Sequence, residues 1–316
     1  MLTEHELVRY NRQILLDGWG VEGQEKLKNT TVFVAGAGGT GSPTIVQLAL
    51  LGVGCIKICD FDTFDIPNMN RQFIHMVDDE ERIGMNKAFS AARTVHNINP
   101  HVKVEVYENK FTEENIDDMV GDSQMIFDCV DKFEPKFVLS RCAIRKKIPH
   151  LFSGIFDINT FACIFYPPIT PCFHCIFDYG KMKVVNEMAH IRANKGMSIP
   201  VSSPTLFAST GFIVGEGVKI LLGHGEPAYN KYILFMQKGN NRAAKTMGYE
   251  GMRFWNTNFF DEQCLSQGFD WDKGWRGNLF EALDIKANPD CEYCKDTHMG
   301  KAVNIQIEEV GFDFDF

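Results

Sequence analysis

The sequence predicts a doubly wound α/β fold. Its sheet is Rossmann-like and mostly parallel, continued by antiparallel strands, with a C-terminal portion pinned by zinc. Three observations carry this. A short apolar strand, TVFVA (31–35), runs straight into GAGGTG (36–41) and a helix. Strand and helix patterns then alternate as far as residue 153. Two Cys-x-x-Cys pairs, at 172–175 and 291–294, lie far apart in the chain, so one metal would tie the end back onto the middle.

The elements follow in order. Residues 3–17 place Leu7, Tyr10, Ile14 and Leu15 at helical spacing, and Thr3 with Glu6 forms a capping-box pattern. Thr31–Ala35 is a buried strand, Ser42–Leu51 a helix ended by Gly52, and Cys55–Asp62 a second strand. Helices are expected at Asn86–Asn97, Glu113–Met119 and Pro135–Lys147. Strands are expected at Lys103–Tyr107, Gln124–Cys129 and His150–Ser153. Phe161–Tyr166 reads as an antiparallel strand. Tyr179–Pro200 is polar and aperiodic, a mobile crossover. Thr205–Leu222 is a strongly apolar helix closed by Gly223. Tyr232–Met236 and Leu279–Ile285 are the last strands. Between them, residues 240–280 hold Trp255, Trp271 and Trp275 with little periodicity, an aromatic insertion. The tail GFDFDF reads as exposed. The expected organisation is a single domain over 1–316. It comprises N-terminal helices (1–30), a nucleotide-binding half (31–160) and an acceptor and zinc half (161–316), which carries the insertion.

Composition excludes several classes. With 316 residues, 45% hydrophobic and 23% charged, the chain is neither wholly disordered nor short of core. A net charge of -9 disfavours a general nucleic-acid or anionic-membrane surface. The N-terminal stretch has no apolar segment of signal-peptide type, and no run reaches ~18 uninterrupted apolar residues, so no membrane span is expected. Ten cysteines are too sparse for a disulfide scaffold, and four of them in Cys-x-x-Cys pairs suit a metal in a reducing compartment. The expected location is the cytoplasm.

In the glycine motif, Gly36, Gly38, Gly39 and Gly41 allow a tight turn and close approach of phosphate to a helix N-terminus. The motif alone fits NAD, FAD or ATP. Asp60, at the end of the second strand, suits ribose hydroxyls. Arg71, in PNMNRQ, and Lys87, opening the next helix, bring two cations to the same pocket. Free phosphates need such cations more than a capped dinucleotide does. Asp131, past the next strand end, is placed like a Mg²⁺ carboxylate. Cys172, Cys175, Cys291 and Cys294 give the count and spacing of a closed tetrahedral Zn²⁺ site, with His174 a bystander.

RYNRQ (9–13), GAGGTG (36–41), DFDTFDIPNMNRQ (60–72), the Lys87 helix, DCVD (128–131) and CFHC…NPDCEYC (172–175, 288–294) recur in this order. Together they resemble the ThiF/MoeB/HesA family, bacterial relatives of ubiquitin-activating enzyme, over nearly the whole chain except 240–280. The resemblance implies an adenylyltransferase that uses ATP and Mg²⁺ to activate a carboxylate. Its expected partner is a ubiquitin-like sulfur-carrier protein ending in Gly-Gly, and the expected assembly is a homodimer. By position, Asp60 would bind the ribose, with Asp62 beside it in the nucleotide site. Asn68, Arg71 and Lys87 would hold the phosphates, and Asp131 would hold Mg²⁺. Arg12 would reach the γ-phosphate from the partner subunit.

The sequence also departs from that pattern. Relatives that form a thioester carry a cysteine in the crossover, but 179–204 contains none, and Gly196 falls near that position. Cys264, in the insertion, is the remaining candidate. Cys55, Cys59, Cys129, Cys142 and Cys163 read as core packing. Lys132 stands where relatives commonly have Asn, and Lys136 where they commonly have Arg. The insertion reads equally as a recognition surface for the acceptor and as a packed flap. Three other readings stay open: the same chemistry on a peptide in natural-product maturation or on a modified tRNA base, an inactive scaffold subunit, and an NAD oxidoreductase. The last leaves the cations and Asp131 without a role.

Overall fold

In the computed structural model, residues 1–76, 82–156, 159–177, 179–180, 201–236 and 279–298 are described. The strands are β1 (Thr31–Ala35), β2 (Cys55–Cys59), β3 (Lys103–Tyr107), β4 (Ile126–Asp128), β5 (His150–Phe156), β6 (Asn159–Phe165), β7 (Lys231–Met236) and β8 (Leu279–Asp284). They form one eight-stranded sheet in the order β3-β2-β1-β4-β5-β6-β7-β8. The first five run parallel, and β6, β7 and β8 each add antiparallel. This is the expected architecture. The order reverses between β1 and β4, and in such sheets a crevice opens there, outside the carboxyl ends of the strands.

The sequence of β1 shows why the sheet is covered on both faces. Val32 and Val34 join one apolar cluster while Phe33 and Ala35 join another, so alternate side chains face opposite layers. On the first face lie α4 (Gly41–Leu51), α5 (Lys87–Ile98) and α9 (Ser203–Leu222). On the second lie α6 (Ile116–Val120) and α7 (Phe133–Lys146). The helix α9 is long and apolar enough by length and composition to cross a membrane. Here it packs on β5, β6 and α4, with Ile213, Val214 and Val218 buried. Gly223 ends it in the left-handed conformation, φ +66°.

The N-terminus differs from its expected single stripe. It forms α1 (Glu4–Arg9), α2 (Asn11–Ile14) and a further helix, α3 (Gly20–Lys28). The Thr3/Glu6 capping box is present. The chain breaks at Tyr10, which is buried. Its hydroxyl accepts a hydrogen bond from Asn99 Nδ2 at 2.8 Å, and its ring lies where a side chain on Gly52 would have to sit. Leu7 and Leu15, which share that helical spacing, are exposed. Several boundaries shift as well. β2 ends at Cys59, β4 is three residues long, β5 extends to Phe156, and α6 begins at Ile116. The expected crossover beyond residue 180, the expected insertion at 240–280 up to residue 278, Cys264, Gly196 and the tail lie outside the described residues, while 279 and 280 belong to β8.

Candidate nucleotide site and cysteine centre

Two of the four motif glycines are dictated by backbone contact. Gly36 has φ +95°, and a Cβ there would lie 2.7 Å from the Cys129 carbonyl oxygen. A Cβ on Gly41 would lie 2.1 Å from the Gly36 carbonyl oxygen. At Gly38 and Gly39 the nearest atoms belong to the Gln72, Leu206 and Arg71 side chains, at 3.3 Å or more. Those two keep the loop low and leave room for a ligand to approach its backbone.

The Ala37 peptide within the loop is gripped on both sides. Its N–H donates to Asp60 Oδ2 at 2.7 Å, and its carbonyl accepts from His75 Nε2 at 2.8 Å. Asp60 also accepts from the Asp62 N–H at 2.9 Å. Burial pushes the Asp60 carboxyl up, against the downward pull of these two donors. A carbonyl only accepts, so His75 carries its proton on Nε2, while Nδ1 meets Ser90 Oγ at 3.0 Å. Burial takes the His75 imidazole down to about 4, so it stays neutral at ordinary pH. Reading the sequence overlooked His75, because nothing in FIHM marks it. Only the fold sets it under the glycine loop.

The cationic residues sit beside this loop. Asn68 closes a short 3₁₀ turn (Ile66–Asn68), and its Oδ1 accepts from both Arg71 Nη2 (3.3 Å) and Gln72 Nε2 (3.1 Å). Those two donors occupy the oxygen and orient the carboxamide. Arg71 is further held by the Pro67 carbonyl and Asn70 Oδ1. Lys87, the first residue of α5, is buried, and its Nζ lies 3.3 Å from Oδ2 of exposed Asp62. The start of α5 is tied to the same strand end, since Asn86 caps the helix and donates from Nδ2 to the Asp60 carbonyl. Hydrogen bonds and an ion pair thus join Asp60, Asp62 and Lys87, and separately Asn68 and Arg71, next to the glycine loop.

Asp131 is exposed three residues beyond β4. Its segment reaches the loop through Cys129, whose carbonyl accepts from Thr40 Oγ1 at 3.1 Å. Among the described residues the Asp131 carboxylate has no ion-pair partner. Behind it lies a buried network that the sequence did not reveal. Asp128 Oδ1 is 2.8 Å from Lys136 Nζ, and Asp128 Oδ2 is 3.0 Å from His150 Nε2. Burial alone would raise the Asp128 carboxyl. Lys136 and the His150 hydrogen bond hold it below the usual range. Only the parallel pairing of β4 with β5 brings His150 to Asp128. Arg12 is exposed on α2 and joins none of these contacts within the chain.

The second centre adjoins this network, since the ring of Phe173, next to Cys172, lies 5.8 Å from that of His150. Sγ atoms of Cys172 and Cys175 are 3.7 Å apart, those of Cys172 and Cys291 3.6 Å, and those of Cys175 and Cys294 3.4 Å. All four lie within 4.8 Å of one another. Disulfide sulfurs would be about 2.05 Å apart. Four thiolates about 2.3 Å from a central ion would stand roughly 3.8 Å apart, close to the spacing here. The group therefore fits one tetrahedral ion with no open position. His174 stays out of it, its ring stacked on Tyr293 at 3.7 Å between centroids. The other described cysteines are free and buried, as expected of packing.

The profile of the ThiF family matches residues 10–251. A sulfur carrier protein adenylyltransferase from Thermus thermophilus is 29% identical over 238 residues, 74% of this chain and 84% of that one. The probable adenylyltransferase/sulfurtransferase MoeZ from Mycobacterium tuberculosis is 36% identical over 165 residues. That match covers 52% of this chain and less than half, 41%, of the longer relative. Among solved structures, Escherichia coli MccB with AMPCPP and MccA superposes with a TM-score of 0.66. It covers 90% of this chain and 74% of that one at 19% identity, a likeness of fold.

Proposed function

The chain belongs to the ThiF family, and on that premise we propose that it is an ATP- and Mg²⁺-dependent adenylyltransferase. Its proposed substrate is the C-terminal carboxylate of a ubiquitin-like sulfur-carrier protein ending in Gly-Gly. What supports this reading is that Arg71 lies beside Gly39, Lys87 pairs with Asp62 next to the Asp60 that holds the glycine loop, and Asp131 follows the Cys129 carbonyl held by Thr40. A triphosphate needs these charges more than a capped dinucleotide does.

Asp60 and Asp62 then face the ribose side, and the Gly38–Gly39 backbone takes the phosphates. Asn68, Arg71 and Lys87 neutralise the triphosphate. An anionic carboxylate attacking a polyanion is opposed by Coulomb repulsion, and these groups lower that barrier. The acceptor oxygen bonds to the α-phosphorus while the bond to the bridging oxygen breaks, and pyrophosphate leaves with both electrons. No protein base is required, since the acceptor is ionised at neutral pH. Asp131 is the carboxylate that would hold Mg²⁺, which supplies further charge neutralisation on the phosphates. Arg12 would enter from a second copy of the chain in a homodimer. The four cysteines would hold a structural Zn²⁺. With no cysteine at 179–204, the adenylate is proposed to be released to an external nucleophile without a crossover thioester. The reading places the enzyme in the cytoplasm.

ATP–pyrophosphate exchange tests it, run over a panel of Gly-Gly-ended carriers, short peptides and a tRNA pool, with Asp131→Ala alongside. Exchange with a Gly-Gly carrier, reduced at least 100-fold in the variant, is expected. Exchange with peptide or tRNA alone would replace the acceptor. Silence across the panel with ATP still bound would point to a scaffold subunit.

A further inference from the structure

Between the end of β4 and Asp131 the backbone has only two residues, Cys129 and Val130, in which to aim a carboxylate. Each polar atom along the way is tied. The Cys129 carbonyl rests against Gly36 and accepts from Thr40 Oγ1. The Val130 N–H faces Asp128 Oδ1 at 3.3 Å, and the Val130 carbonyl accepts from Lys136 Nζ at 2.6 Å. The same Nζ lies 2.8 Å from Asp128 Oδ1 and 4.7 Å from the centroid of the Phe152 ring. Asp128, Lys136 and His150 are 1%, 4% and 0% exposed.

An ammonium has three protons. Here a carboxylate, a carbonyl and a ring face account for them. Lys136 is thus a cation beside a phosphate crevice with no proton left to offer a phosphate. What it does hold is the peptide immediately before Asp131, anchored through Asp128 to His150 on the neighbouring strand.

We infer that Lys136 is the positioning residue for Asp131, its clamp on Asp128 and the Val130 carbonyl setting where the Asp131 carboxylate meets the nucleotide-bound metal. The inference rests on the reading of Asp131 as the Mg²⁺ carboxylate and extends it to the machinery that aims it. It predicts a defect confined to the metal-dependent part of nucleotide binding.

The test is calorimetric titration of the full chain with the non-hydrolysable analogue AMPCPP, once in Mg²⁺ and once in EDTA. Lys136→Met should lose at least tenfold of the Mg²⁺-dependent gain in affinity while its EDTA affinity stays within twofold of the parent. Lys136→Arg, which still reaches both the carboxylate and the carbonyl, should recover to within about threefold. Removing Lys136 leaves the buried Asp128 carboxylate without its cation, held only by His150 and the Val130 N–H. Should that variant fail to fold, the Asp128→Asn/Lys136→Met double variant carries the same expectation without the stranded charge. An unchanged Mg²⁺ gain in Lys136→Met or the double variant overturns the inference. Equal losses in Mg²⁺ and EDTA overturn it too, since they mean direct phosphate contact or general damage. Asp131→Ala separates the two levels: a full Mg²⁺ gain there defeats the assignment of Asp131 itself.

Discussion

Around the glycine loop, polar atoms are tied one at a time: Ala37 between Asp60 and His75, Cys129 to Thr40, Val130 to Lys136. Around α8 (Phe173–Ile176) rings pack on rings instead. Phe173 meets Phe137, Phe152 and Phe165 edge-on at 5.0–5.4 Å and stacks on Phe177 at 4.4 Å, with the four sulfurs alongside. Hydrogen bonds are directional and expensive to leave unmade, so they fix atoms in place. Aromatic burial and thiolate–metal bonds contribute most of their free energy to holding the chain together. The lesson is a division of labour. The surroundings of the glycine loop spend their interactions on geometry, those of α8 on cohesion, and damage to each should look different.

The largest effect is expected at the cysteines. Structural zinc sites bind with about 10 kcal/mol or more of apparent free energy at neutral pH. Metal analysis of the purified protein should give one zinc per chain. Cys291→Ser/Cys294→Ser should abolish it and destabilise the protein by several kcal/mol in urea melts. A metal-free parent of full stability would break the comparison.

Next is Phe173→Ala. Truncating a fully buried aromatic of this kind costs about 3–5 kcal/mol. AMPCPP affinity at a temperature where the variant stays folded should remain within twofold. A larger loss of affinity would mean that cohesion and geometry are not separable here.

The smallest effect sharpens the other side. Below about pH 6.5 an unfolded chain protonates His75, but the folded chain resists until about pH 4. Its contribution is therefore complete above pH 6.5 and declines as the pH falls towards 4, by about 2 kcal/mol between pH 7 and pH 5. His75→Gln keeps a donor for the Ala37 carbonyl and cannot titrate. Urea melts at the two pH values should show its slope flatter than the parent's by that amount.

What was legible in the sequence is what is local. The strand–glycine–helix unit, Asp60 at its strand end, Lys87 at its helix start and the paired cysteines are each declared within a dozen residues. The site around them is not. His75 gains its meaning from Ala37, 38 residues earlier. The Asp128–Lys136–His150 network exists only because β4 and β5 pair with Ile126 opposite His150. The N-terminal stripe was legible only in part: Tyr10 is buried against Asn99 and Gly52, while Leu7 and Leu15 of the same spacing are exposed.

The sheet pairs Met236 with Leu279, so the ends of the segment over 237–278 emerge as neighbours, and the sulfur cluster fastens the chain again just beyond β8. For a loop whose ends are already held together, doubling its length adds only about 0.6 kcal/mol of closure entropy. The β7–β8 junction is therefore a point at which added length costs little closure entropy. A fluorescent reporter or a foreign recognition loop spliced there would leave strand register and the glycine loop undisturbed, which makes it the natural port for re-engineering the protein.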